Sequence, residues 1–185
     1  MSEQVGGSGG PNMLRDGQVL RDETRLFDPQ GAQLDAASTP PDEPGWVVTL
    51  STWAARREAF RSRQHPVGVQ VQPDDDISGL SSADSGIRQA DLHGIAFVAI
   101  IFPVYTDGRG FSLAQRLRHE YGWHGEIRAV GDVLIDTVHY LARCGFNSFV
   151  LKEGHDPHKA LHAVSAFTRA YQRSYAVVSV KRPPS

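Results

Sequence analysis

From Trp46 onward, short apolar runs alternate with stretches whose apolar residues recur at helical spacing. Trp46-Val47-Val48-Thr49-Leu50 reads as a strand, and the helix after it carries Trp53 and Phe60 on one face, with Ser51 or Thr52 as its cap. Pro66 closes that helix, and Val67-Gly68-Val69-Gln70-Val71 is the next strand. The loop Pro73-Asp74-Asp75-Asp76 follows, and the stretch from there to Gly94 is a helix candidate weakened by its serines and glycines. Gly94 to Phe102 is the strongest strand, and its continuous hydrophobicity predicts cover on both faces. After the loop from Pro103 to Gly110, Ser112 and Gln115 have the spacing of a capping box, and Leu113, Leu117 and Tyr121 form the inner face of a helix that Gly122 ends.

The unit then repeats. Glu126 to Val130 is a strand, Gly131-Asp132 a turn and cap, and Leu134, Val138 and Leu141 line a helix ending at Cys144-Gly145. Phe149-Val150-Leu151 is a short strand, and Asp156-Pro157 starts a helix that buries Leu161, Val164, Phe167 and Tyr171. Ala176 to Val180 is a last strand. Strand alternating with helix predicts an α/β fold: a three-layer, mostly parallel sheet with flanking helices, flavodoxin-like or Rossmann-like. A fragment of a β/α barrel is the alternative.

The N-terminal side is different. Residues 1–12, with Gly6-Gly7-Ser8-Gly9-Gly10-Pro11, read as a disordered tail. Residues 13–45 read as an arm and linker, in which Gln18-Val19-Leu20 and Thr24-Arg25-Leu26-Phe27 pair as a hairpin across Arg21-Asp22-Glu23. Residues 46–185 form a single α/β domain.

Composition narrows the classes. A chain of 185 residues with 40% hydrophobic and 22% charged residues suits one soluble domain. A formal net charge of -2 gives no basic face for nucleic acid. No apolar run reaches membrane-spanning length, the first residues lack the pattern of a signal peptide, and the single cysteine cannot form an internal disulfide. These features predict a cytoplasmic protein with no membrane partner; oligomeric state is not legible.

In parallel sheets ligands bind beyond the carboxyl ends of the strands. That rim gathers Ser51, Asp74 to Asp76, the loop Tyr105-Thr106-Asp107-Gly108-Arg109-Gly110, Asp132, and Lys152-Glu153-Gly154-His155. Thr106, Asp107, Gly108, Arg109, Gly110 and Ser112, together with Asp132, form a candidate anion site: glycines and a helix start offer backbone N–H groups, and Arg109 offers a guanidinium. The competing reading is a tight turn in which Arg109 pairs with Asp107 or Asp132 and holds the loop. Neither the Walker loop nor the dinucleotide GxGxxG pattern is met, because its third glycine position falls on Leu113. Lys152, Glu153 and His155 complete the candidate rim, and His155 or Glu153 would be the base of any chemistry. His155, His158 and His162 lack the partners of a recognised metal motif and suit a solvated face, so no metal site is assigned. Cys144, at a helix end, reads as a buried, inert thiol.

Longer blocks carry a resemblance. Phe102-Pro103-Val104-Tyr105-Thr106-Asp107-Gly108-Arg109-Gly110 through Leu117-Arg118, then Gly125 to Leu134 and Arg143-Cys144-Gly145-Phe146, resemble an uncharacterised bacterial family encoded beside sulfite reductase genes. Its members are often labelled probable oxidoreductases involved in sulfite reduction. Leu14-Arg15-Asp16-Gly17 and Pro73-Asp74-Asp75-Asp76 are similar too, so the likeness spans about residues 13–151. The chain departs from the family pattern at Val104, where a basic residue is common, and at Thr137, where glutamine is common. The resemblance implies an accessory role in assimilatory sulfite reduction, with a sulfite-reduction enzyme as partner or a small anion as ligand. The alternative is an oxidoreductase with an unmarked flavin or nucleotide site at the strand carboxyl ends. The cofactor is unknown, and whether the protein is an enzyme stays open.

Overall fold

Asp16 and Gly17 both take left-handed backbone angles, φ 51° and 77°, which a type I′ turn requires and an Asp-Gly pair adopts readily. They fold β1 (Met13–Arg15) onto β2 (Gln18–Leu20) in the computed structural model, which describes residues 12–29, 38–80 and 93–167. The hairpin expected between Gln18–Leu20 and the segment up to Phe27 does not form. β3 (Arg25–Phe27) instead takes the opposite edge of the sheet and lies parallel to β4 (Trp46–Thr49). The Asp-Gly signal, one turn upstream, decides the pairing.

β5 (Val67–Val71), β6 (Ile95–Phe102), β7 (Glu126–Gly131) and β8 (Ser148–Val150) stand where the apolar runs put them. The eight strands form one sheet in the order β2-β1-β8-β7-β6-β5-β4-β3. Pairs from β3 through β8 are parallel, whereas β1 is antiparallel to both β8 and β2, so the sheet is mixed rather than mostly parallel. The segment expected to be arm and linker thus supplies three of the eight strands.

Five α-helices are described: α1 (Leu50–Ala55), α2 (Arg57–Arg61), α3 (Arg109–His119), α4 (Val138–Arg143) and α5 (Pro157–Phe167). The expected single helix after β4 is broken at Arg56, whose φ is -129°, and its cap is Thr49, whose hydroxyl accepts from the Thr52 N–H at 3.2 Å. Trp53 and Phe60 nonetheless share a face, stacked with ring centroids 5.5 Å apart and fully buried. Asp156 starts α5 as expected, accepting from the His158 N–H at 2.9 Å. Residues 1–11 of the tail, most of the stretch before Gly94, Tyr171, the strand at 176–180 and the side chains of Val164 and Phe167 lie outside the described residues.

Helical residues Trp53, Phe60, Leu113, Leu117, Leu141 and Ala160 join one apolar cluster with Val48, Val69, Ile100, Ile127 and Phe149 of the sheet. Val47, Phe97 and Ala99, which alternate with those strand residues, form a second, small cluster on the opposite face. Among the described residues the helices therefore cover one face, and the second helical layer of a flavodoxin-like arrangement is not found. The strand order gives the reason. β3 to β8 follow one another without the reversal that sends helices to both faces of a doubly wound sheet.

The sheet is strongly curled. β2 and β3 are its opposite edges, yet only Arg21 to Thr24 join them. That link reaches at most about 19 Å. A flat sheet of this many strands would be about 34 Å wide. The edges must therefore approach, with the helices outside and the Phe97 face within.

Arg118 ties the outer layer together. Its Nε and NH2 donate to the Gly145 carbonyl at 2.9 and 2.7 Å, and its NH1 donates to the carbonyls of Trp123 and Gly125, both at 2.7 Å. Burial lowers the guanidinium pKa to about 10, so it stays a cation at neutral pH. One side chain thus joins the end of α3 to the chain before β7 and before β8.

The inner face is layered. The Phe97 ring lies over Gly68, so close that a Cβ there would meet its Cζ at 2.3 Å. The Arg128 guanidinium also lies over that ring, 3.7 Å from its centroid. Gly68→Val forces that stack apart and should cost about 1–3 kcal/mol in urea unfolding. Phe97→Leu in the same chain should return part of the loss. Equal costs with and without Phe97 would show that the ring is not what the glycine accommodates.

Candidate functional site

The carboxyl ends of β5, β6, β7 and β8 are neighbours, and the candidate residues stand in the loops beyond them. Gly131 makes the closest strand approach possible there. Its φ is 94°, and a Cβ would lie 2.5 Å from the Phe102 carbonyl oxygen of β6. The next residue, Asp132, was expected to cap a helix. It does not, because a 3-10 turn (Ile135–Thr137) precedes α4. Its carboxylate reaches sideways instead: Oδ2 accepts from the Tyr105 N–H at 3.0 Å, and Oδ1 meets Lys152 Nζ at 2.7 Å. These two contacts, the lysine first, hold the Asp132 carboxyl below its ordinary pKa, and the charge of His155 adds to the effect. The loops after β6, β7 and β8 thus meet at one carboxylate. Lys152 is more than half exposed, Glu153 is exposed, and His155 is partly exposed.

A second ion pair stands farther along the edge. Asp107 takes Arg109 in bidentate fashion, with Nε to Oδ1 at 3.0 Å and NH2 to Oδ2 at 2.7 Å, and also accepts the Arg109 N–H at 3.1 Å. The pairing lowers the Asp107 pKa and raises that of Arg109, to which the charge of Asp74 also contributes. Of the two sequence readings of this loop, the geometry is that of the held turn, with Asp107 as partner. Arg109 does not bond to Asp132.

The other loop residues have structural explanations. α3 begins at Arg109, upstream of the expected capping box, so Ser112 is an exposed residue of its first turn rather than its cap. Gly108 occupies the cap position with no side-chain bond, and the carboxylate of Asp107 already satisfies the first amide of the helix. Gly110 lets α3 approach Phe102, whose ring would be 2.7 Å from a Cβ. Thr106 is exposed.

Two apolar side chains complete the picture. Val104 and Tyr105 are 52% and 51% exposed on the loop that Asp132 anchors. Their signal in the sequence is an apolar-aromatic pair after the strand-ending Pro103, where solubility alone would favour polar residues. Sequence reasoning also missed Asp22, Glu126 and Arg128, which make an ion-paired group on the inner face. Its clue was charge at alternate positions within an otherwise apolar strand.

Cys144 is buried, and desolvation raises its thiol pKa, the opposite of a reactive thiolate. Among the described residues no three His, Cys, Asp or Glu side chains are grouped to hold a metal, and no helix is long and apolar enough to cross a membrane.

A depressed carboxyl pKa stabilises the fold above the unfolded value of 3.8, and the contribution disappears as pH falls through the lower folded value. Asp132→Asn should therefore flatten the acid limb of a stability–pH curve below that value. Asp107→Asn should do the same independently, since the pairs share no partner. Strong coupling in the double variant would instead mean one joined network.

No curated protein matches the sequence. A family model does: it is described as a bacterial protein of unknown function (DUF934), and it matches residues 68–180, more than half of the 185. The matched range contains β6, β7, β8 and each of the rim loops that meet at Asp132. The chain belongs to this bacterial family of unknown function.

Proposed function

We propose that this protein is an accessory protein of assimilatory sulfite reduction that docks onto a sulfite-reduction enzyme through the loop after β6. The single observation that carries the reading is the display of Val104 and Tyr105, about half exposed, on a loop whose backbone Asp132 fixes. An aromatic anchor held ready costs little ordering entropy on contact, and such residues dominate protein interfaces. The mixed charges around it, Asp107, Arg109, Lys152 and Glu153, suit a polar rim. Sulfite reduction comes from the likeness of the same loop and of the β7 segment to proteins encoded beside sulfite reductase genes. A cytoplasmic location belongs to this reading.

Docking is favoured over capture of a free anion. Arg109 and Lys152 each have a carboxylate at 2.7 Å, so an anion at either one must compete with Asp107 or Asp132.

Affinity purification of the tagged full chain from its native host, at low salt, should recover a sulfite-reduction enzyme. Val104→Asp with Tyr105→Ala should reduce recovery by roughly tenfold or more, since about 1.4 kcal/mol of lost contact suffices for that. The melting temperature should hardly move, because both side chains are exposed. Repeated purification without such an enzyme, or equal recovery by the variant, would overturn the proposal.

A further inference from the structure

The inner face of the sheet holds a charged group that no part of the rim uses. Arg128 is 3% exposed, and its guanidinium meets Asp22 Oδ1 at 3.2 Å and Glu126 Oε1 at 2.8 Å. Glu126 also faces Arg15 of β1 at 3.7 Å. Asp22 belongs to no strand. It lies in the link Arg21 to Thr24 that joins the two opposite edges of the sheet.

The amide and one carboxylate oxygen of Asp22 place that link. Its N–H donates to Asn12 Oδ1 at 3.0 Å, beside the start of β1. Its Oδ1 accepts from the Thr24 N–H at 3.2 Å and the Thr24 hydroxyl at 2.7 Å, which shapes the turn into β3. The same oxygen accepts from Arg128 NH1. One carboxylate therefore touches the link, the approach to β3, and β7 in the middle of the sheet. Arg128 in turn covers the Phe97 ring.

The edges themselves have no such bond. β2 and β3 are not paired with each other. The link spans them, and its Asp22 contacts Arg128.

We propose that Asp22 and Arg128 form a clasp that holds the curled sheet closed, so that the edge strands β1, β2 and β3 can open as a unit while β5 to β7 stay folded. Opening would uncover Phe97, Val47 and Ala99, the apolar patch of the inner face. Folded domains open sub-globally in contiguous units, and each edge here joins the rest of the sheet through one short ladder, β1 to β8 and β3 to β4. The proposal is independent of the docking reading, which concerns the exposed loop after β6.

The test is hydrogen exchange on the full chain, read by mass spectrometry, with Asp22→Ala. Arg128 keeps Glu126 in that variant, so no buried cation is left bare. Amides of β1, β2 and β3 should exchange at least about tenfold faster, with those of β5, β6 and β7 unchanged. A second variant lengthens the link by inserting Gly-Ser-Gly-Ser after Glu23 and retains Asp22. Protection at the edges should survive there, because the intact contact between Asp22 and Arg128 keeps the lengthened link in place. Unchanged exchange in Asp22→Ala, uniform loss across all strands, or opening by the insertion alone would each overturn the proposal.

Discussion

A connection of four residues between the two ends of an eight-stranded sheet is the constraint on which the rest of this structure depends. Chain geometry allows that span only if the sheet bends until its edges nearly face each other. Bending creates an inside and an outside. The outside is thickly apolar and takes the helices, through Val48, Val69, Ile100, Ile127 and Phe149. The inside carries small residues, Gly68, Ala99 and Ser148, and the Phe97 ring packs against Gly68. Arg128 adds a long, buried side chain whose charge is matched by two carboxylates. A buried arginine stripped of its partners costs on the order of 3–5 kcal/mol, so the match is a condition for the curl rather than an addition to it.

Strand order brings the rim together. Neighbouring parallel strands end side by side, and the loops after β6, β7 and β8 reach a common point at Asp132. Gly131 is what lets β7 end so near β6, and its left-handed backbone turns the following residue away from a helix and toward Tyr105 and Lys152.

Much of this was legible in the sequence. β4 to β8 each announce themselves as an apolar run of strand length, and Asp156-Pro157 marks its helix start by a fixed backbone requirement. Local rules suffice where one local feature dominates. They failed where two competed. Ser112 and Gln115 have a capping spacing, but Asp107 and two glycines allow α3 to begin earlier. Asp132 has the chemistry of a cap and follows a glycine, yet a lysine twenty positions on takes its carboxylate. The Asp16-Gly17 turn was readable and outranks the hairpin inferred beside it. The layer count was not readable from any single element, because it depends on the order of the strands across the sheet.

Burial separates the charges of this protein into two kinds of work. Arg128 with Asp22 and Glu126, and Arg118 with its carbonyls, are enclosed, feel little screening, and hold distant parts of the chain in place. The Arg109–Asp107 and Lys152–Asp132 pairs stand at the surface, where water and salt weaken them, and they shape loops rather than the fold. Stability thus resides in the inner face and the helix-covered core, while the rim is ordered without being essential to either. A surface arranged in that way can change its side chains with little consequence for folding. That freedom is the physical reason to look for function at the loop carrying Val104 and Tyr105, and not within the sheet that supports it.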